Sequence, residues 1–226
     1  LEVKDKLGWE LLKKRTACCE IDVYGFHSDD CSMAKCLADS LLVYGEDFNH
    51  IDLRIRFLYW WNYGYCNGTG KKHHPSFGIG ISIGNSFEEF QEEMRKKVYE
   101  GDQRNSGNGS IMRLTPVPIR FHNDVELAMH IAAEQSLTTH NSEEAKECCR
   151  LMTYLIVKFI NLDEKEKRPI KELLVEFCTD FIQKTNLKTV KCLAASQPET
   201  DWAWQTSNYV VPESRRGVIT FSIFYF

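Results

Sequence analysis

In His27-Ser28-Asp29-Asp30-Cys31-Ser32-Met33-Ala34, a hydroxyl and two consecutive carboxylates stand where an apolar helical period begins. Hard divalent cations take oxygen donors, and Asp carboxylates beside a hydroxyl supply them. The same residues also make an ordinary helix start, with Ser28 or Asp29 as the cap and Asp30 favourable to the helix dipole. Spacing alone leaves both readings open. A second segment is Arg104-Asn105-Ser106-Gly107-Asn108-Gly109-Ser110-Ile111-Met112-Arg113. Gly107 and Gly109 permit positive φ and close approach of a ligand to the backbone. Small residues ahead of a short apolar helix can turn N–H groups toward a phosphate, and Arg113 can pair with an acid or a phosphate. The competing reading is a surface loop followed by a helix. It is not a Walker loop, because no Gly-Lys-Ser/Thr follows. His140, in Leu137-Thr138-Thr139-His140-Asn141-Ser142, stands just before a helix, where it can hydrogen-bond a ligand or help to cap. Trp202 and Trp204 read as packing or as an adenine platform. His73 and His74 have no partner at metal spacing and read as surface residues of a loop.

The elements that must position these residues follow from periodicity. Met33, Leu37 and Leu41 share one face of a helix over Ser32 to Tyr44, and Asn49 to Tyr63 is a second, aromatic-rich helix. A loop over Lys71 to Asn85, holding Gly78, Gly80 and Gly84, precedes a helix expected over Phe87 to Tyr99. Asp124 caps a helix bearing Leu127, Ala128, Ile131, Ala132 and Gln135. The strongest pattern starts near Ser142 and runs through Ala145, Cys148, Cys149, Met152, Leu155, Ile156 and Phe159. Asn141 or Ser142 caps it, and Glu143 and Glu144 suit its dipole. The run Asp163 to Arg168 is a solvated turn. A last helix follows Pro169, burying Ile170, Leu173, Leu174, Phe177 and Phe181. With no internal repeat and no Pro- or Ser-rich linker, the 226 residues are expected to form one all-α domain.

A formal net charge of −4 argues against a nonspecific nucleic-acid binder. No apolar run approaches the roughly 20 residues that span a membrane. Nine cysteines, an odd number without Cys-x-x-Cys spacing, read as reduced thiols in a cytosolic or nuclear compartment. A chain that begins at Leu1 and stops in the apolar, aromatic Ile219 to Phe226 reads as a fragment or a processed product.

In their order, these pieces resemble the ADP-ribosylglycohydrolase family, which includes the dinitrogenase-reductase-activating glycohydrolases. Ser28-Asp29-Asp30-Cys31-Ser32-Met33-Ala34 matches the family's Thr/Ser-Asp-Asp-Thr-x-Met, and Tyr59-Trp60-Trp61 an aromatic patch after it. Ile83-Gly84-Asn85 matches an Ile-Gly-Asn turn. Ser106 to Arg113 followed by Pro116-Val117-Pro118 is the most specific signature. Thr139-His140, Trp202-x-Trp204 and Glu213-Ser214-Arg215-Arg216-Gly217 also fall in place, so the resemblance covers about residues 25–217.

The resemblance implies a compact multi-helix all-α fold. It also implies a hydrolase that uses two Mg2+ or Mn2+ ions to release ADP-ribose from a protein side chain or related conjugate. By position, Ser28, Asp29 and Asp30 would be metal ligands, with Asp29 and Asp30 catalytic. Gly107, Asn108, Gly109, Ser110 and His140 would bind the substrate, and Arg113 would anchor its own loop rather than the substrate. The implied partner is an ADP-ribosylated protein or conjugate, bound by a monomer with no nucleic acid or membrane involved. Cys31 and Ser82 stand where members usually carry Thr and Asp. An opening acidic segment before Leu1 and a second Asp-x-Asp motif beyond Gly217 are missing from the sequence. The expectation is therefore a copy truncated at both ends, with a catalytically inactive ADP-ribose-binding fragment as the alternative.

Overall fold

The computed structural model of the protein describes residues 27–68, 76, 78–104 and 106–195. Cys18, Cys19, His73, His74, Trp202, Trp204 and the stretch from Glu213 to Gly217 lie outside these residues. Every regular element among the described residues is a helix: α1 Asp29–Tyr44, α2 His50–Tyr63, α3 Ile81–Glu92, α4 Gly109–Met112, α5 Pro116–Arg120, α6 Val125–Leu137, α7 Glu143–Ile160, α8 Ile170–Ile182 and α9 Lys188–Ala194. The all-α reading is confirmed.

The helix starts follow from their capping residues. Asn49, Asp124 and Ser142 each accept a hydrogen bond from the backbone N–H three residues on, satisfying one of the free first-turn amides of α2, α6 and α7. α1 buries Ser32, Met33, Cys36, Leu37, Ser40 and Leu41 along one face. α6 is buried over most of its circumference, through Ala128, Met129, Ile131, Ala132, Ala133, Gln135 and Ser136, so it forms the centre of the fold. α7 packs along it; α1 lies against α2 and α5; the short α4 is held between α1, α6 and α7. The buried apolar side chains join in one cluster that runs from Met33 to Val190.

Four expectations need correction, one being that Ile170, read as buried, stands exposed at the start of α8. The stretch read as a loop to Asn85 becomes helical at Ile81, so Ile83-Gly84-Asn85 lies inside α3 rather than in a turn. Ile83, Phe87 and Phe90 fall at helical steps and bury together, which offsets the roughly 1 kcal/mol that Gly84 costs within a helix. The same helix stops at Glu92 instead of reaching Tyr99. Beyond it the chain is drawn away by tertiary bonds: the Tyr99 amide donates to the Leu137 carbonyl at 2.8 Å. The carbonyls of Lys96 and Val98 accept from the buried guanidinium of Arg54 at 3.1 and 2.8 Å. Finally, the helix after Pro169 is followed by α9, whose one buried side chain, Val190, leaves too little pattern to read in advance.

The described cysteines are all free thiols. No helix among the described residues is long and apolar enough to cross a membrane.

Candidate active site

α1 begins at Asp29, with Ser28 as its N-cap, yet the Ser28 side chain makes no capping bond. Its carbonyl instead accepts from the Ser32 amide at 3.2 Å and the Ser32 hydroxyl at 3.0 Å. The Ser28 hydroxyl bonds to the two carboxylates, and the Asp29 carboxylate also takes the backbone amides of Asp29 and Asp30. Asp29 and Asp30 are both half-buried. Loss of solvent, and secondarily the charge of Asp30, push the Asp29 carboxyl up to about 6. Burial likewise raises Asp30. One Asp30 oxygen, Oδ1, is fully buried and has no hydrogen-bond partner. Lys35, the first cation along α1, is occupied elsewhere, its Nζ 2.7 Å from His27 Nε2. Two adjacent acids in poor solvation, one with an orphaned oxygen, suit a hard cation better than they suit water. Among the described residues no group of three His, Cys, Asp or Glu side chains is gathered anywhere, so the acidic ligand set here is a pair. Cys31, where the resemblance expects a hydroxyl, is exposed.

Gly78 is the residue against which Asp29 rests. It has φ +89°, and a Cβ there would lie 2.7 Å from Asp29 Oδ1. Glycine is therefore required twice, for its left-handed backbone and for the space it leaves. Gly78→Ala is expected to displace the carboxylate and weaken divalent-cation binding about tenfold while the helical fold persists, as changes just outside a metal's ligands commonly do. Calorimetric titration beside circular dichroism checks this; unchanged affinity would remove Gly78 from the site.

From Gly78 the chain runs directly to the second half of the site. Ser82 Oγ lies 3.5 Å from where a Cβ on Gly107 would stand, and Ile83 Cδ1 lies 2.7 Å from that of Gly109. His140 closes the same space, with Nε2 3.3 Å from the Gly107 position and Cε1 3.3 Å from that of Gly109. Neither Gly107 nor Gly109 takes a positive φ, contrary to the expectation for these glycines. Gly109 leaves the space that Ile83 fills, while a side chain at Gly107 would press only slightly on the His140 ring. Asn108 is half-buried and forms no side-chain cap.

The floor of this loop is a polar network. Ser110 is wholly buried and turned inward: its hydroxyl accepts from Ser136 at 2.8 Å and lies 3.4 Å from Cys149 Sγ. Its carbonyl accepts from Gln135 Nε2 at 3.0 Å. Arg113 is fully buried too. It donates to the Gln135 side chain and carbonyl, both at 2.9 Å, to Thr138 Oγ1 at 3.2 Å and to Thr139 Oγ1 at 2.8 Å, with its guanidinium 4.6 Å from the Phe57 ring centre. Burial pulls it down to about 9, so it stays charged at neutral pH. This is the anchoring role expected for Arg113. His140 is 2% exposed. Burial, and then the Arg113 charge, drive it down to about 3, so the ring is neutral. Ser106 meets Ser142, the cap of α7, at 2.8 Å and fastens the loop to that helix.

Residues 78–83 thus touch Asp29 at one end and the Gly107 to Gly109 loop, with His140, at the other. Residues 78–83 were read as loop, with Ser82 and Ile83 noted only in the family comparison, and nothing in their types points to Asp29.

The raised Asp29 carboxyl gives a pH prediction. Its folded-state affinity for a proton exceeds the unfolded one, so the stability it contributes is present below about pH 4 and lost as pH rises through about 6. Asp29→Asn should therefore stabilise the metal-free protein at pH 7, by about 1 kcal/mol once partial solvation is discounted. Because a cation competes with the proton, divalent affinity should fall about tenfold from pH 7 to pH 5. Melting curves and titrations at both pH values check the two signs together.

Comparison with known proteins places these features in a family. The family described as ADP-ribosylglycohydrolase matches residues 5–222. The chain is 31% identical over 143 residues to the ADP-ribosylarginine hydrolase Tri1 of Pseudomonas putida (strain GB-1), covering 63% of this chain and 37% of that protein. It is 25% identical over 199 residues to the Tri1 hydrolase of Serratia proteamaculans (strain 568), covering 82% and 52% respectively. A solved structure, an ADP-ribosylglycohydrolase-related protein complex, superposes with a TM-score of 0.57 at 26% identity, covering 80% of this chain and 52% of its own. The chain spans about half or less of the length of the relatives it matches.

Proposed function

We propose that this chain, which belongs to the ADP-ribosylglycohydrolase family, carries the site of a hydrolase that releases ADP-ribose from a modified arginine side chain. The observation that carries this reading is the acid pair: Asp29 with its raised proton affinity, beside Asp30 with a buried, partnerless oxygen, on a helix end where Ser28 does not cap. Ser28, Asp29 and Asp30 would hold Mg2+ or Mn2+, of which the family resemblance implies two ions. When bound, such ions orient the ribose diol, polarise oxygens and supply a nucleophilic water.

The chain's own residues account for the rest. An ionised Asp29 accepts a hydrogen bond from the attacking water and orients it toward the anomeric carbon. The bond that breaks joins that carbon to a guanidine nitrogen; hydroxide from the water takes its place and the proton leaves with arginine. Carboxylate charge that a bound cation leaves unneutralised would favour the oxocarbenium-like transition state. Residues 107–110 would lie along the diphosphate or distal ribose, as the family resemblance implies. Ser110 contributes through its backbone, since its hydroxyl is engaged below. His140, with Nε2 turned toward Gly107, would meet the ligand at the edge of the loop.

A second reading, a module that binds ADP-ribose without hydrolysing it, is favoured by the contrast between a densely bonded loop and a ligand set of two acids. Incubation with an arginine-ADP-ribosylated protein and Mg2+, followed by chromatography, separates the two. Free ADP-ribose that disappears with chelator supports the hydrolase; tight binding without release supports the module.

A further inference from the structure

We propose that Thr139 is a positioning residue whose hydroxyl, polarised by Arg113, locks His140 as the Nε2–H tautomer and so turns one fixed hydrogen-bond donor toward the loop at Gly107. The inference rests on the reading of that loop as the ADP-ribose site.

Thr139 Oγ1 receives a hydrogen bond from an Arg113 amino group at 2.8 Å and stands 2.8 Å from His140 Nδ1. A guanidinium only donates, so the Thr139 proton must find an acceptor of its own. Thr139 is 0% exposed, which excludes bulk water, and among the described residues His140 Nδ1 is the acceptor within reach. Nδ1 therefore accepts, and a neutral ring that accepts at Nδ1 carries its proton on Nε2. The charge of Arg113 polarises the intervening hydroxyl and strengthens its donation. That same charge opposes an imidazolium, and Arg113 is the charged group felt by this ring. Nε2 is the atom that faces Gly107, 3.3 Å from its Cβ position. Acceptor oxygens of a ligand lying over residues 107–109, such as those of a ribose or a diphosphate, match this donor in kind. An acceptor at that edge would require the Nδ1–H tautomer, which Thr139 disfavours. His140 is therefore a donor whose state does not change across neutral pH.

Two-bond proton–nitrogen NMR of the uniformly labelled protein reads the tautomer directly, with His140 assigned by its loss in His140→Gln. The expected spectrum shows an unprotonated Nδ1 and a protonated Nε2, unchanged from about pH 5 to about pH 8. Thr139→Ser keeps this pattern. Thr139→Val removes the donor to Nδ1 and lowers ADP-ribose affinity about tenfold, the loss of roughly one hydrogen bond; the Ser variant restores the affinity. A wild-type Nδ1–H spectrum overturns the proposal even if the Val variant does not fold, as does a folded Val variant that binds ADP-ribose as tightly as wild type. An Nε2–H spectrum in a protein that does not bind ADP-ribose sustains the lock and overturns the reading of the site.

Discussion

Asp30→Asn is expected to lower Mg2+-dependent release of ADP-ribose from arginine by about a thousandfold or more, and Asp29→Asn by a similar factor. A thousandfold is about 4 kcal/mol of transition-state stabilisation, within what a cation that polarises oxygens and generates a nucleophile provides. Asn keeps the volume and one carbonyl oxygen but loses the charge that would draw a cation to the buried Asp30 Oδ1. The same substitutions should not weaken the fold. Asp29 is destabilising as an ion in the metal-free protein, since burial and Asp30 both resist its charge. Loss of activity and gain of stability in one variant is the signature of acids kept for chemistry rather than for capping. Kinetics beside thermal melting tests it. A variant that loses stability and keeps turnover would return Asp29 and Asp30 to the ordinary role of helix-start residues.

Arg113 should behave in the opposite way. Arg113→Ala is expected to destabilise the protein by about 4 kcal/mol, through a cavity beside Phe57 and four hydrogen bonds lost from Gln135, Thr138 and Thr139. Against the roughly 5–15 kcal/mol that holds a typical domain folded, this is a large share. Arg113→Lys keeps the charge but cannot reproduce the planar fork that reaches both Gln135 and the two threonines, so it should recover only part of the loss. Denaturant melts of the two variants give the ordering wild type, Lys, Ala. A Lys variant as stable as wild type would show that charge, rather than the geometry of the fork, holds the turn at Thr138 to His140.

Much of this architecture is legible in the residues because the signals are local. Asn49, Asp124 and Ser142 cap the helices they precede, and the spacing of Ala145, Cys148, Cys149 and Leu155 marks the buried face of α7. The pairing of Asp29 with Asp30 at a helix start is equally local. What could not be read depends on parts of the chain far apart. Gly78 is required by Asp29 and Gly109 by Ile83, contacts that no spacing encodes. The hydroxyl of Ser110 is committed to Ser136, so a residue that resembles a ligand donor is a structural one by its side chain. The true start of α3 was masked by Gly84, whose local cost is outweighed by burial of Ile83, Phe87 and Phe90. Thr139 was legible only as the neighbour of His140 in a shared motif; its role follows from lying between Arg113 and His140.

The central claim is that the acid pair and the glycine loop act as one ADP-ribose site completed by a divalent cation. Calorimetric titration of ADP-ribose into the protein, with Mg2+ and with chelator, and into Asp30→Asn under the same conditions, tests it most directly. The account predicts saturable binding that weakens when Mg2+ is removed, and an Asp30→Asn protein that matches the chelated wild type whether Mg2+ is present or not. No binding heat and no melting shift with ADP-ribose, or an Asp30→Asn variant that keeps the full Mg2+ effect, would contradict it.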